Sequence, residues 1–170
     1  MKKFIKLVSA ICALAVLGAC SSSKEDTKLI TFNVANRTGV DTGLAYKSVE
    51  MPLSGMKLIM NTDIVLYSGD IEQIYAAENT MPTGEKIAGF YFFLTPKGKN
   101  KLTNITASNM GAYIVMFYDG KPLGLRVIDA VITDGKLFVC SELAGDMEKM
   151  HKFVAEMNES LDDVNEIRSK

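Results

Sequence analysis

The sequence predicts an α+β fold: an antiparallel sheet with helices packed on one face and a long amphipathic helix at the C-terminus. Three observations predict it. Two Asp-Gly turns, Asp119-Gly120 and Asp134-Gly135, separate three apolar runs at 113–118, 123–132 and 136–140, the pattern of an antiparallel meander. Ile30, Phe32 and Val34 alternate with Thr31 and Asn33, the period of a half-buried strand. Leu143, Met147, Met150, Val154, Met157, Leu161 and Val164 recur at intervals of four and three, the stripe of a helix lying against an apolar surface.

The chain opens on Lys2, Lys3 and Lys6, continues through an apolar run from Leu7 to Leu17, and reaches the small residues Gly18 and Ala19 before Cys20. That layout is a secretory signal. Its apolar run is about half the roughly 20 residues that a membrane-spanning helix requires. Leu17-Gly18-Ala19-Cys20 resembles the lipobox of bacterial lipoproteins. The resemblance implies cleavage before Cys20, diacylglycerol on its thiol and an acyl chain on its new amino group. No other cofactor is expected. Two or three acyl chains, at about 0.8 kcal/mol per buried methylene, hold a protein on a bilayer without spanning it. Ser21 at the following position implies, by likeness to enterobacterial-type lipoproteins, the outer membrane rather than the inner. The expected organisation is a signal at 1–19, the lipidated cysteine and a polar tether at 20–28, and one domain at 29–170.

Within that domain Leu29–Ala35 reads as the first strand. Asn36-Arg37-Thr38-Gly39 and Asp41-Thr42-Gly43 are turn material. Leu44–Met51 reads as a strand stopped by Pro52 and Ser54-Gly55. Met56–Met60 and Ile64–Tyr67 read as two short runs, bracketed by Asn61-Thr62-Asp63 and Ser68-Gly69-Asp70. Ser68 or Asp70 is a candidate cap for a short helix to about Glu78, with Ile71, Ile74 and Tyr75 on one side. Asn79–Glu85 reads as a loop. Ile87–Leu94, dense in aromatics, reads as a central strand. Thr95 and Pro96 suit an N-cap and first turn, so 97–106 is expected to be helical, with Leu102 and Ile105 inward and Lys97, Lys99 and Lys101 outward. Ser141 is the expected cap of the last helix, which runs to about Arg168, with Phe153 widening its stripe.

Composition excludes several function classes. Removal of the three signal lysines leaves 16 basic against 20 acidic side chains, a net of −4. Such a chain lacks the basic footprint of a nucleic-acid binder and the polybasic patch of an electrostatic membrane binder. Of three cysteines, Cys12 leaves with the signal and Cys20 carries lipid, so Cys140 has no partner for an internal disulfide. His151 is the sole histidine, which rules out a zinc site built from the usual ligands. No nucleophile elbow, phosphate loop or Gly-x-Gly-x-x-Gly occurs. Asp162-Asp163 and Glu156 with Glu159 fall on a charged helix face. A noncatalytic protein is expected.

A family resemblance rests on a run of segments. Phe90-Tyr91-Phe92-Phe93-Leu94-Thr95-Pro96-Lys97-Gly98 leads an apolar strand into a helix. Asn109-Met110-Gly111 ends that helix, and Tyr113–Tyr118 runs into Asp119-Gly120-Lys121. Upstream lies Val65-Leu66-Tyr67-Ser68-Gly69-Asp70-Ile71. Together these resemble the head subdomain of the first periplasmic domain of SecD, an auxiliary subunit of the bacterial protein-export translocase. Residues 86–157 are the most similar part, and 158–170 extend the last helix. The chain departs from the family after the Asp-Gly turn, where Gly124-Leu125-Arg126 replaces Ser-Ala-Pro, and it lacks the family's transmembrane helices. The resemblance implies a detached binding module facing the periplasm, with an exported polypeptide or envelope protein as partner and no catalytic residue to carry over.

The methionines add a candidate surface. If the last helix is partly exposed, Met147, Met150, Phe153, Val154 and Met157 form an apolar groove wall; otherwise they fill the core. The expected function is therefore noncatalytic binding of a polypeptide or envelope protein by a lipid-anchored envelope protein. The alternative is a structural or assembly lipoprotein that self-associates through its C-terminal helix, and a third reading is an envelope hydrolase with unfamiliar sites.

Overall fold

In the computed structural model, which describes residues 28–37, 45–80, 84–143 and 146–169, eight strands form one antiparallel sheet. The strands are β1 (Ile30–Asn36), β2 (Tyr46–Glu50), β3 (Lys57–Tyr67), β4 (Ile71–Thr80), β5 (Lys86–Leu94), β6 (Tyr113–Tyr118), β7 (Lys121–Val127) and β8 (Lys136–Ser141). The helices are α1 (Pro96–Ser108) and α2 (Met147–Ser169). The spatial order is β2-β3-β1-β6-β7-β8-β5-β4.

That order forces the sheet to curl. β3 and β4 stand six positions apart, which is about 29 Å in a flat sheet. Yet only the single turn Ser68–Asp70 joins them, and an extended chain from Tyr67 to Ile71 reaches at most about 14 Å. The two ends of the sheet must therefore approach each other at this corner. Hydrogen bonds hold the corner: Ser68 Oγ accepts from the Ile30 amide at 2.9 Å. Asp70 Oδ2 accepts from Lys101 Nζ at 2.6 Å, and the Asp70 carbonyl accepts from the Thr95 amide at 3.0 Å. Gly98 lets the first turn of α1 lie directly on Asp70, because a Cβ at that position would collide with the Asp70 carbonyl oxygen.

The main core lies between the sheet and the two helices. Phe32, Phe90, Phe92, Ile114 and Leu137 from the strands meet Leu102 of α1 and Met150, Met157 and Leu161 of α2. A second, smaller cluster, with Met51, Leu58, Val115 and Phe117, sits apart from it. The loop after β2 is fastened over this region by Glu142, whose carboxylate accepts from the amides of Leu53 and Ser54 at 2.7 and 2.8 Å and from the Ser54 hydroxyl at 3.0 Å.

Several local expectations are corrected. The two short runs around Asn61-Thr62-Asp63 are one strand, β3, and the polar triplet is an irregularity within it. Its register against β1 slips between Phe32 and Ala35 by three residues in total, and Asn33 Nδ2 donates to the Asn61 and Asp63 carbonyls at 3.1 and 3.0 Å. An odd slip exchanges the faces of a strand. Leu58 and Met60 therefore enter the smaller cluster while Leu66 enters the main core.

The helix expected from Asp70 to Glu78 is instead β4. A bulge between Ile71 and Gln73 puts Ile71 and Ile74 on the same face, so a strand reproduces the spacing of a helix. The Asp70 carboxylate serves Lys101 and the Tyr67 amide, the latter at the start of the single 3-10 turn Ser68–Asp70, and caps no longer helix. The expected strand 123–132 ends at Val127, after which Ile132 is tied to α1 through Thr103 and Thr106. Thr95 caps α1 as expected, accepting from the Gly98 amide at 3.1 Å. Ser141 accepts from the Leu143 amide at 3.0 Å, but α2 begins later, and Asp146 Oδ1 accepts from the Lys149 amide at 3.0 Å in the manner of a cap.

Candidate functional site

β5 is aromatic on both faces, and the two faces have different fates. Phe90 and Phe92 are sealed in the main core. Tyr91 and Phe93 alternate with them, so they point to the opposite face, where they are only half-buried. Neighbouring strands extend this stripe. Tyr75 of β4 is 45% exposed and meets Phe93 edge-on at 5.5 Å. Tyr91 lies 5.7 Å from Phe93 and 5.7 Å from Phe138 of β8. Phe138 can lie over β5 because residue 89 is glycine; a Cβ there would run into its ring.

Charge borders the stripe on one side. Lys136 Nζ sits 5.6 Å from the centre of the Phe93 ring. Arg126 donates to the Phe138 carbonyl at 3.5 Å and to Asp129 at 3.2 Å. Two shallow clefts, of about 280 and 400 Å³, share Tyr91 and Lys136 and run together over this surface. Cys140 lies further along β8, and burial, the largest influence, pushes its thiol pKa up against the opposing pull of Arg126. Its environment is that of an inert thiol rather than a nucleophile. The arrangement suits apolar side chains of a ligand laid across a ridged face.

The stripe ends at β4, the last strand of the sheet. At Ile74 the outer edge of this strand is covered by a side chain from α2. Asn158 Oδ1 accepts from the Ile74 amide at 3.2 Å, and Asn158 Nδ2 donates to the Ile74 carbonyl at 3.0 Å. The Asn158 amide thus takes the place of a neighbouring strand for one residue.

The residues singled out on the last helix lie elsewhere. Met150, Val154 and Met157 are buried in the main core, and Met147 and Phe153 are half-buried against it, with Phe153 edge-on to Tyr118 at 6.1 Å. The stripe faces the sheet, so the groove wall that partial exposure would create is absent at these positions. His151 is exposed. Leu17, Gly18, Ala19 and Cys20 lie outside the described residues. Sequence reading placed Tyr91 and Phe93 in a central strand without separating its faces; the available signal was aromatic side chains on both parities of one short strand.

No family model and no curated protein matches the chain. Solved structures do match. A crystal structure of SecDF in its super-membrane-facing form is 17% identical with a TM-score of 0.53, over 77% of this chain and 18% of that one. A structure of SecDF described as a membrane component that enhances protein export is 16% identical with a TM-score of 0.49, over 78% of this chain and 61% of that one. The antiparallel sheet with two helices, one of them C-terminal, is the fold of a SecDF periplasmic domain. The chain spans less than a fifth of the length of the first of these structures.

Proposed function

We propose that this protein is a noncatalytic polypeptide-binding module of the bacterial cell envelope, held at a membrane surface by lipid on Cys20 and facing the periplasm. The observation that carries the reading is the aromatic stripe of exposed Tyr75 and half-buried Phe93 and Tyr91, backed by the buried Phe138. Monomeric domains seldom leave contiguous apolar surface open unless something docks there. The SecDF-type fold supports the same reading, since SecDF is described as enhancing protein export. Aromatic side chains flanked by Lys136 and Arg126 give adaptable contact to many polypeptides and demand no particular sequence. Residues 21–28 reach at most about 29 Å when extended, so the binding face works close to the bilayer.

The self-association reading has less to draw on. The heptad-like stripe is buried against the sheet as far as Leu161, which leaves Val164 half-buried and Ile167 exposed beyond it.

A photo-crosslinking amino acid placed at Tyr75 or Tyr91 in cells tests the proposal. Adducts with exported polypeptides are the expected result, and adducts confined to a second copy of this chain would replace binding by self-association. Acyl labelling that disappears in Cys20→Ala tests the anchor separately.

A further inference from the structure

The outer edge of β4 divides at Ile74. In an antiparallel strand the N–H and C=O of one residue point to the same side, and the side alternates along the chain. Ile74 turns both groups to Asn158, away from β5. The pairing with β5 runs without a slip from Gln73↔Phe93 to Thr80↔Lys86, so Ala76, Glu78 and Thr80 also turn both groups outward. Among the described residues no strand lies beyond β4 and no side chain bonds to these groups. Folded proteins commonly blunt such edges. β2, at the other end of the sheet, has five residues and carries Lys47 and Glu50. β4 has ten residues; it carries Glu72 and Glu78, the latter paired with Lys86 of β5, and among the described residues α2 hydrogen-bonds to its edge at Ile74 alone.

We infer that the edge from Ala76 to Thr80 receives an extended segment of the bound polypeptide as a ninth strand. This inference rests on the polypeptide-binding reading and specifies its mode. Unpaired N–H and C=O groups repeating every second residue are matched by another backbone in the same conformation, which identifies the occupant as an extended chain. Side chains of the added strand alternate between the faces of the sheet. Those on the open face fall beside Tyr75 and Ala77, which line the shallower cleft with Phe93 and Tyr91. The face residues Gln73, Tyr75, Ala77 and Asn79 carry no charge, so the favoured segment has neutral or aromatic side chains at alternate positions. Backbone pairing supplies affinity without reading sequence, and the aromatic face supplies the preference for apolar stretches.

The test uses the full-length protein in detergent micelles and fluorescent, reduced and carboxymethylated α-lactalbumin, a chain that cannot fold. Binding is read by anisotropy, and hydrogen exchange is read across 71–80 with and without the probe. The expected result is slower exchange of the Ala76, Glu78 and Thr80 amides in the complex. Ala76→Pro and Glu78→Pro each remove one outward N–H while leaving the bonds to β5 intact, and each should weaken binding by about tenfold, the loss of one net hydrogen bond. Exchange in wild-type protein needs no variant, so a misfolded proline substitution does not decide the matter. Binding with unchanged exchange along β4 overturns strand addition and leaves the polypeptide-binding function standing. Absence of any binding to the probe overturns both.

Discussion

Asn158→Ala isolates the contribution of a side chain standing in for a strand. Two hydrogen bonds are lost, at 3.2 and 3.0 Å, both to the fully buried Ile74. Each contributes a net of about 0.5–1.5 kcal/mol, which together gives about 1–3 kcal/mol. Alanine is the better helix former by about 0.6 kcal/mol at an interior position such as this one in α2, and that gain offsets part of the loss. The expected destabilisation is about 1.5 kcal/mol, or a fall in Tm of about 5 °C. The chain has no tryptophan, so urea unfolding is best followed by far-ultraviolet circular dichroism, with the midpoint compared at constant m. Exchange of the Ile74 amide should accelerate in the same variant. Asn158→Asp should lose at least as much, because it keeps an acceptor for the Ile74 amide but sets an oxygen against the Ile74 carbonyl. An alanine variant within about 0.5 kcal/mol of wild type, with Ile74 still protected, would refute the claim that Asn158 seals this edge.

Four further outcomes follow from the same geometry. Gly98→Ala would raise helix stability by about 1 kcal/mol in an open helix, but here the methyl meets the Asp70 carbonyl, so a net loss of about 2 kcal/mol is expected, and a rise in Tm would contradict it. Lys101→Met strips the fully buried Asp70 of its cation and should cost about 2 kcal/mol, reduced from the value for a sealed pair because Lys101 is one-third exposed; adding Asp70→Asn to that variant should recover part of the loss. Glu142→Gln should cost about 1 kcal/mol and speed exchange of the Leu53 and Ser54 amides without disturbing the main core. Cys140 has a raised pKa in the fold, so its neutral form stabilises the protein below the ordinary thiol pKa and that contribution is lost as pH rises through the folded value; alkylation by iodoacetamide should be slower than for a model peptide at mildly alkaline pH and catch up only in stronger base.

Much of the fold was legible because its signals are local. The turn at Asp119-Gly120, the Thr95 cap and the methionine-rich stripe each needed only neighbouring residues to act, and each is where the sequence places it, whereas Asp134-Gly135 ends a longer loop between Val127 and Lys136 instead of making a tight hairpin. What was illegible depended on register. Ile71, Ile74 and Tyr75 have helical spacing, and only the partner strand β5, with its bulge, makes that spacing a strand. Asn61-Thr62-Asp63 reads as a turn until Asn33, 28 residues away from Asn61, binds two of its carbonyls. The candidate surface was hidden for a related reason. Tyr91 and Phe93 differ from Phe90 and Phe92 only in which face the helices cover, and that is decided by α2, more than fifty residues later.

The position of the open edge also bears on how a tethered domain would work. β1 enters the sheet at Ile30, opposite Tyr118 and beside Ser68, at the corner where β3 passes into β4. β4 starts at that corner and runs away from it for ten residues, about 30 Å. Asn158 closes the edge in the half near the corner, and the open half, Ala76 to Thr80, lies at the far end. The covered part of the sheet edge therefore lies at the end where the chain enters at Ile30, and the unpaired part at the far end. The side-chain surrogate on Ile74 closes the edge near that corner and leaves the distal part unpaired among the described residues.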